Sequence, residues 1–176
     1  RCDKVTNEKT IYKIKTIKLS TTKYTYNGKT KKPSITVKDS KGKTISSKYY
    51  TISGTRSSKS VGKHTMTIKF KDKYSGSVKL SFTINPAKSS VKKLTAAKKS
   101  LKVSLNKGSG AKGYEIEYST SKSFKSSKKK TTTKTSYTIK SLKAKKTYYV
   151  RVRSYKTVSG KKYYSSWSSA KSKKTK

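Results

Sequence analysis

The chain has 176 residues, of which 48 are Lys or Arg and six are Asp or Glu, so its formal net charge is +42. This length allows one domain, or two domains of about 90 residues that each bury a modest core. One His, one Cys and six acids leave little material for catalysis by paired carboxylates, a metal ion or a histidine, and a single Cys excludes a disulfide framework. No window approaches the roughly 18 consecutive apolar residues of a membrane-spanning helix, so none is predicted.

The amino-acid composition favours a folded β protein over a disordered chain. Hydrophobic residues make up only 29% of the sequence, whereas globular chains average roughly 45–50%. However, the chain holds 14 Tyr and only two Pro, and disordered segments are poor in aromatic and β-branched residues. Apolar residues alternate with polar ones at a period of two along most of the chain, which is typical of half-buried strands.

Short alternating segments separated by turn signals fill the first half of the chain. The first covers residues 12–19 with an irregularity inside it, and the second ends at the turn signal Asn27-Gly28. The clearest alternation runs from His64 to Phe70. Further predicted strands occupy residues 35–37, 50–52 and 78–84.

A break at Pro86 divides the chain into two predicted domains, because proline cannot continue a central strand. Residues 12–86 are predicted to form one antiparallel β-sandwich, residues 1–11 a linker before it, and residues 87–176 a second sandwich of about seven strands. The Ser- and Lys-rich tract at residues 119–130 is predicted to connect two strands. The predicted strands of the second half include residues 91–94, 101–105, 114–118, 137–139, 148–152 and 163–167.

Two motifs in the second half show a family resemblance. Leu142-x-Ala144-x-x-x-Tyr148, followed by Val150-Arg151-Val152-Arg153, resembles the tyrosine corner of fibronectin type III domains and the strand after it. Residues 113–118 are similar to the third strand of that family. The resemblance implies that residues 88–176 form a fibronectin type III domain, in which the Tyr148 hydroxyl binds upstream backbone and Leu142 fills the core below the corner.

Residues 12–86 resemble the short immunoglobulin-like repeats of cell-surface proteins from Firmicutes bacteria. The matching residues include Tyr24-x-Tyr26-Asn27-Gly28, Tyr74-Ser-Gly76 and Phe82-x-Ile84. A tandem of such a repeat with a fibronectin module is similar to the C-terminal stalks of secreted bacterial proteins. The resemblance implies an extracellular location and a role in spacing, adhesion or wall attachment, without a cofactor. No signal peptide is visible after Arg1, so we expect a mature or excised piece of a longer protein.

The few residues that could take part in catalysis are better explained as surface positions. His64 has no Cys or acid near it in the sequence. Glu115 and Glu117 lie two residues apart and share one face of a predicted strand. Because the apolar residues of that strand should face the core, we expect both carboxylates to face solvent among lysines, where they balance charge. With no phosphate-binding loop or metal-ligand spacing, the sequence predicts no enzyme activity and no catalytic, cofactor-binding or metal-binding residue.

Arginine is rare in this chain, and its placement is informative. Only four of the 48 cations are Arg, and Arg151 and Arg153 alternate on one face of a single predicted strand. Trp167, the only Trp, is predicted to lie in the last strand, which pairs with the arginine strand in this fold. Because a planar guanidinium stacks on an aromatic ring, we expect a structural cation–π ladder of these three side chains. It would be similar to the ladder of cytokine-receptor fibronectin modules.

The positive charge is the main indication of function. Residues 1–86 carry 21 Lys and Arg against four acids, a net charge of +17, and residues 87–176 carry 27 against two, a net charge of +25. Protection of strand edges and solubility account for part of this charge. Self-repulsion at +42 destabilises the compact state unless counter-ions or a polyanion relieve it. The candidate polyanion contacts are eight lysines of the second domain: Lys128, Lys129, Lys130, Lys143, Lys145, Lys146, Lys161 and Lys162.

Among anionic polymers, the sequence favours those of a cell surface. Lysine suits spread phosphate or sulfate groups, whereas arginine, the preferred reader of base edges, is scarce. No nucleic-acid-reading helix or zinc finger is predicted. We therefore expect a monomer that binds teichoic acid or a sulfated or sialylated glycan in a salt-sensitive manner. Three alternatives stay open: non-specific binding of nucleic acid, an accessory region of a secreted enzyme whose active site lies upstream, and an inert spacer.

Overall fold

The computed structural model describes residues 12–176, and the linker predicted at residues 1–11 lies outside this range. Within it the chain consists of antiparallel β-strands and one 3-10 turn at Ser47–Tyr49, with no α-helix. This architecture confirms the predicted all-β fold class. The strands are β1 (Ile14–Leu19), β2 (Lys23–Thr25), β3 (Ile35–Asp39), β4 (Tyr50–Gly54), β5 (Gly62–Phe70), β6 (Ser77–Asn85), β7 (Ser90–Ala97), β8 (Ser100–Asn106), β9 (Gly113–Ser119), β10 (Lys128–Thr132), β11 (Ser136–Ile139), β12 (Thr147–Val158), β13 (Lys161–Tyr164) and β14 (Lys171–Lys174).

The described residues form two compact units. Unit 1 contains residues 12–24, 30–58 and 63–83, and unit 2 contains residues 25–29, 59–62 and 84–176. In the first half of the chain, β1 pairs with β3, and a four-stranded sheet has the order β2-β6-β5-β4. The domain boundary that the sequence places at Pro86 stays a prediction.

The core of unit 1 comes from strands whose side chains alternate between the interior and solvent. In β5, Met66, Ile68 and Phe70 are buried, whereas Thr65 and Lys69 are exposed and Thr67 is half-buried. Because successive side chains of a strand point to opposite faces, the apolar residues of the alternating sequence lie on a buried face and the polar residues on a solvent-exposed face. The buried residues of the main cluster are Val37, Ile45, Ile68, Phe70 and Tyr74.

A lysine packs among three tyrosines in unit 1. The Nζ atom of Lys73 lies 4.8 Å from the ring centroid of Tyr12, 4.9 Å from that of Tyr49 and 5.7 Å from that of Tyr74. The backbone N–H of Tyr12 also donates to the Lys73 carbonyl oxygen at 2.8 Å. These contacts attach the first described residues to the connection between β5 and β6.

Unit 2 contains two antiparallel sheets. The larger sheet has the order β10-β9-β12-β13, and β14 also pairs with β12; the smaller sheet has the order β11-β8-β7. One end of β12 pairs with β13 and the other with β14. The last strand predicted at residues 163–167 is therefore wrong beyond Tyr164, where β13 ends, and β14 follows as a separate strand. Both sheets supply the core, whose buried residues are Val91, Leu94, Leu101, Val103, Leu105, Tyr114, Ile116, Tyr118, Ile139, Leu142, Tyr148, Val150 and Val152.

Leu142 and Tyr148 flank the connection that enters β12. Leu142 is buried in the core cluster, and its backbone N–H donates to the Lys99 carbonyl oxygen at 2.9 Å. The hydroxyl of Tyr148 accepts a hydrogen bond from the backbone N–H of Lys143 at 3.0 Å. Because this bond spans the connection between the sheets, it gives the geometry of a tyrosine corner.

The prediction that residues 119–130 only connect two strands is wrong at their end, where β10 begins. β10 pairs with β9 along Lys128–Thr132, yet four of its five residues are exposed and the fifth is half-buried. An edge strand forms backbone hydrogen bonds to a single neighbour while its side chains stay in solvent. Such a strand has no apolar alternation, which is the pattern on which the prediction depended.

We expect Leu142→Ala to destabilise unit 2 by about 2–5 kcal/mol, because it leaves a cavity in a closed core. Trp167 is the only Trp of the chain and lies in unit 2, so the midpoint of its fluorescence change in urea should fall. The matched control is Leu19→Ala in unit 1, where Leu19 is also buried. The control should leave the Trp167 transition unchanged, and an equal shift from both variants would show that the two units unfold together.

Candidate functional site: an arginine–tryptophan ladder and exposed lysines

The pairing of β9 with β12 places two acids opposite two arginines. In the register of the two strands, Arg151 lies beside Glu117, and Arg153 lies beside Glu115. Residue Ile116 between the two acids is fully buried in the core. Because side chains alternate across a strand, all four charged side chains lie together on the opposite face of the sheet.

The charged groups form close ion pairs. Arg151 Nε donates to Glu117 Oε2 at 2.6 Å, and Arg153 donates to Glu115 Oε1 from Nη2 at 2.7 Å and from Nε at 2.9 Å. Ser127 Oγ donates to Glu117 Oε1 at 2.6 Å. Such charge-assisted hydrogen bonds are stronger than neutral ones, so each carboxylate has a fixed position on the sheet.

The expectation that Glu115 and Glu117 lie on a solvated surface is wrong. Both residues are on the face opposite the core, as predicted, but they are only 8% and 5% exposed. The reason is that side chains from other segments cover this face of the sheet. A carboxylate that loses water needs a paired cation and hydrogen bonds, and the two arginines supply both.

The cover is a stack of alternating aromatic rings and guanidinium groups, called the ladder below. Arg151 Cζ lies 4.1 Å from the ring centroid of Phe124 and 4.8 Å from that of Trp167. Arg153 Cζ lies 4.6 Å from the Trp167 centroid and 3.6 Å from that of Tyr164. Each guanidinium thus contacts two rings, and Trp167 contacts both guanidiniums. Cation–π contacts of this kind contribute about 0.5–2 kcal/mol each, depending on how far they are desolvated.

Trp167 does not lie in a strand, contrary to the sequence prediction; it lies between β13 and β14. Serines on either side of it bind the backbone of β12 instead. Ser165 Oγ accepts from the N–H of Ser154 at 2.9 Å, and Ser168 Oγ accepts from the N–H of Val152 at 3.0 Å. These side-chain bonds satisfy β12 donors that a regular strand would pair, and they hold the indole beside the arginines.

Sequence reasoning missed two rings of the ladder, Phe124 and Tyr164. Phe124 has a left-handed backbone with φ of 59°, a conformation that costs a non-glycine residue about 1 kcal/mol or more. Its contact with Arg151 offsets that cost. Phe124 is the one apolar residue in the Ser- and Lys-rich tract at residues 119–130, and that isolation was the available signal.

Hydrogen bonds and nearby cations lower the pKa of Glu117. Burial alone raises the pKa of this carboxyl, because it disfavours the charged form. Hydrogen bonds from Ser127 and Arg151, together with the charges of Arg151 and Lys129, outweigh burial and bring the pKa below 4.5. Glu117 therefore stays ionised in the folded protein at neutral pH.

The eight candidate lysines are all exposed, and they lie on three separate segments. Lys128, Lys129 and Lys130 belong to β10; Lys143, Lys145 and Lys146 precede β12; and Lys161 and Lys162 begin β13. Among them, Lys129 approaches the ladder: its Nζ lies 3.9 Å from Glu115 Oε1 and 5.7 Å from the Trp167 ring centroid. The others extend the positive charge beyond the ladder.

Among residues 12–176, no group of three or more His, Cys, Asp and Glu side chains lies close enough to hold a metal ion. In the same part of the chain, no helix has the length and apolar character needed to cross a membrane.

We expect Arg153→Lys to destabilise unit 2 by about 1 kcal/mol, because lysine keeps the charge beside Glu115 but loses the planar group between two rings. A double-mutant cycle with Trp167→Leu, measured by urea unfolding with circular dichroism, isolates the stacking contribution. The loss caused by Arg153→Lys should shrink by about 0.5 kcal/mol or more when Trp167 is absent. An unchanged loss would mean that the ring and the guanidinium do not stabilise each other.

We expect Glu117→Gln to weaken the dependence of stability on pH in acid. Since the pKa of Glu117 is lower in the folded state, its contribution is complete above the unfolded value of 4.5 and is lost as the pH falls through the folded value. The difference in unfolding free energy between the native chain and the variant should therefore be largest near pH 7 and decrease steadily below about pH 4.5. A difference that stays constant with pH would contradict the assignment.

Comparison with known proteins bears mainly on the second half of the chain. A search of curated proteins found no match. Among solved structures, the chain is similar to the crystal structure of domains A168-A170 from titin, with 15% identity and a TM-score of 0.42 over 87% of this chain, and it spans 61% of the titin chain. The family model of the fibronectin type III domain matches residues 85–171, which confirms the resemblance found in the second half of the sequence.

Proposed function

We propose that the chain is a non-catalytic extracellular module that spaces or attaches a secreted or surface protein of a bacterium. Its lysine-rich faces would bind anionic polymers of the cell wall or of host glycans in a salt-sensitive manner. The observation that supports this proposal most directly is the allocation of acids in unit 2. Its only two acids, Glu115 and Glu117, are both paired with the ladder arginines.

Few lysines of unit 2 can therefore form an ion pair with an acid of the same unit. Residues 87–176 carry 27 Lys and Arg and only two acids, so most lysines have no carboxylate of their own unit to bind. An ammonium group is a compact, strongly hydrated charge that contacts phosphate or sulfate without a fixed orientation. An array of such groups fits a polymer with repeated negative charges, whose binding releases counter-ions and weakens with salt.

The family match supports the non-catalytic part of the proposal. Fibronectin type III domains generally serve as spacers and binding modules. The three-residue ladder predicted from the sequence is engaged in pairing and stacking within unit 2, which favours a structural role for it over a ligand platform. The extracellular location, the bacterial source and the identity of the first half as an immunoglobulin-like repeat remain part of the proposal.

Three alternative functions make different predictions. An accessory region of a secreted enzyme requires a catalytic domain upstream in the full protein. A nucleic-acid-binding protein should protect duplex DNA, with an affinity that falls steeply as salt rises, and should not be retained on cell walls. An inert spacer should bind none of these polymers at physiological ionic strength, about 150 mM.

The test is binding of the purified chain to teichoic acid, heparin, mucin and duplex DNA from about 50 to about 500 mM salt. We expect at least one of the wall or glycan polymers to bind above about 150 mM, with DNA weaker. A variant with the eight candidate lysines changed to Gln, which lowers the net charge from +42 to +34, should bind these polymers markedly more weakly than the native chain. Loss of all binding by about 150 mM would leave the spacer function instead.

A further inference from the structure

A groove runs along unit 2 at the side where its two sheets are not joined. It has a volume of about 780 Å³, which is within the range of about 300–1,000 Å³ common for ligand clefts. The side chains and backbone around it belong to Tyr118, Ser119, Thr120, Ser126, Lys128, Lys130, Tyr137, Thr138, Lys140, Ser141, Leu142, Lys143 and Tyr148.

The topology of the sheets explains why the groove is present. β10 is the last strand of the larger sheet at this side, and β11 is the last strand of the smaller sheet. Lys128 lies opposite the buried Tyr118 in the register of β10 with β9, and Lys130 lies opposite the buried Ile116. Directly opposed residues share a face of the sheet, so these two lysines lie on its core side, where they line the groove.

The groove is positively charged. Lys128, Lys130, Lys140 and Lys143 line it, all four are exposed, and no acid is among its lining residues. The two acids of unit 2 lie on β9, but they point to the ladder on the opposite face of that sheet. The groove therefore has four cations and no carboxylate to balance them.

Tyrosines and hydroxyl groups complete the lining. Tyr118 and Tyr148 are buried at its base with ring centroids 6.4 Å apart, and Tyr137 is half-buried beside them. Four exposed residues with hydroxyl groups also line it, Thr120, Ser126, Thr138 and Ser141, whereas the hydroxyl of the buried Ser119 donates to the Lys125 carbonyl oxygen. Burial, with Tyr137 and Tyr148 nearby, raises the pKa of Tyr118, so its phenol remains a hydrogen-bond donor.

We infer that this groove binds a segment of an anionic glycan whose sugar rings bear sulfate or phosphate groups. The sugar rings would pack on Tyr137, the sugar hydroxyls would bond to the exposed Ser and Thr hydroxyls, and the acidic groups would contact the four lysines. This inference rests on the proposed function and assigns it a site. An added peptide strand fits the groove less well, because lysines on an edge strand such as β10 oppose edge-to-edge pairing.

The test compares two variants of the full chain that each lose four positive charges. The groove variant carries K128Q, K130Q, K140Q and K143Q; the control carries K92Q, K93Q, K98Q and K107Q, which change exposed lysines outside the groove. With heparin oligosaccharides or a phosphorylated mannan at about 150 mM salt, the groove variant should bind about tenfold more weakly, and the control within about threefold of the native chain. Which of the two glycans binds better distinguishes sulfate from phosphate.

A third variant tests the sugar-binding part of the inference. Tyr137→Leu keeps the charge but removes a ring and its hydroxyl, so it should weaken binding of the glycans and leave binding of polyglutamate and duplex DNA unchanged.

Equal losses of glycan affinity in the groove variant and the control, or no effect of Tyr137→Leu on glycan binding, would overturn the groove assignment while leaving the proposed function standing. If the groove variant lost as much affinity for DNA or polyglutamate as for the glycans, the choice of a glycan as the ligand would be overturned. No glycan binding by the native chain would refute both.

Discussion

Two ion pairs between β9 and β12 determine how charge is arranged throughout unit 2. Glu115 and Glu117 are nearly inaccessible to water, and an unpaired carboxylate in that position would be strongly destabilising. Their pairing with Arg153 and Arg151 fixes both guanidiniums on this face of the sheet, where Phe124, Trp167 and Tyr164 contact them. The aromatic cover in turn excludes water from the carboxylates, so the pairs and the stack depend on each other.

This arrangement also leaves the lysines of unit 2 as an external charge. In unit 2, arginine, whose planar group stacks on rings and binds carboxylates, is used where charge is covered, and lysine is used where charge meets solvent. Lysines on the exposed edge strand β10 discourage association with another sheet, and their repulsion favours an anionic partner. The same residues can therefore keep the module soluble and provide its binding surface.

Sequence reasoning worked where one face of a strand is apolar and failed where other segments decide the environment. Alternation identified β5 and the central strands, and the rarity of Arg and Trp indicated which side chains would stack. The same reasoning missed β10, because its side chains are exposed on both faces and show no alternation. It also missed the burial of Glu117, because strand periodicity gives the face on which a side chain lies but not what covers that face. The sequence predicts a strand at Trp167 because serines whose side chains replace strand pairing cannot be told from ordinary strand residues.

The measurement that tests this account most directly is a nuclear magnetic resonance titration of the isotope-labelled full chain with a heparin oligosaccharide at about 150 mM salt. We predict saturable shifts concentrated in β10, β11 and the connection before β12, with the signals of Arg151, Arg153 and the Trp167 indole unchanged. Such a result would separate the internal charges of the ladder from the lysines that meet the ligand. Small, non-saturating shifts spread evenly over the exposed lysines of both units would contradict it.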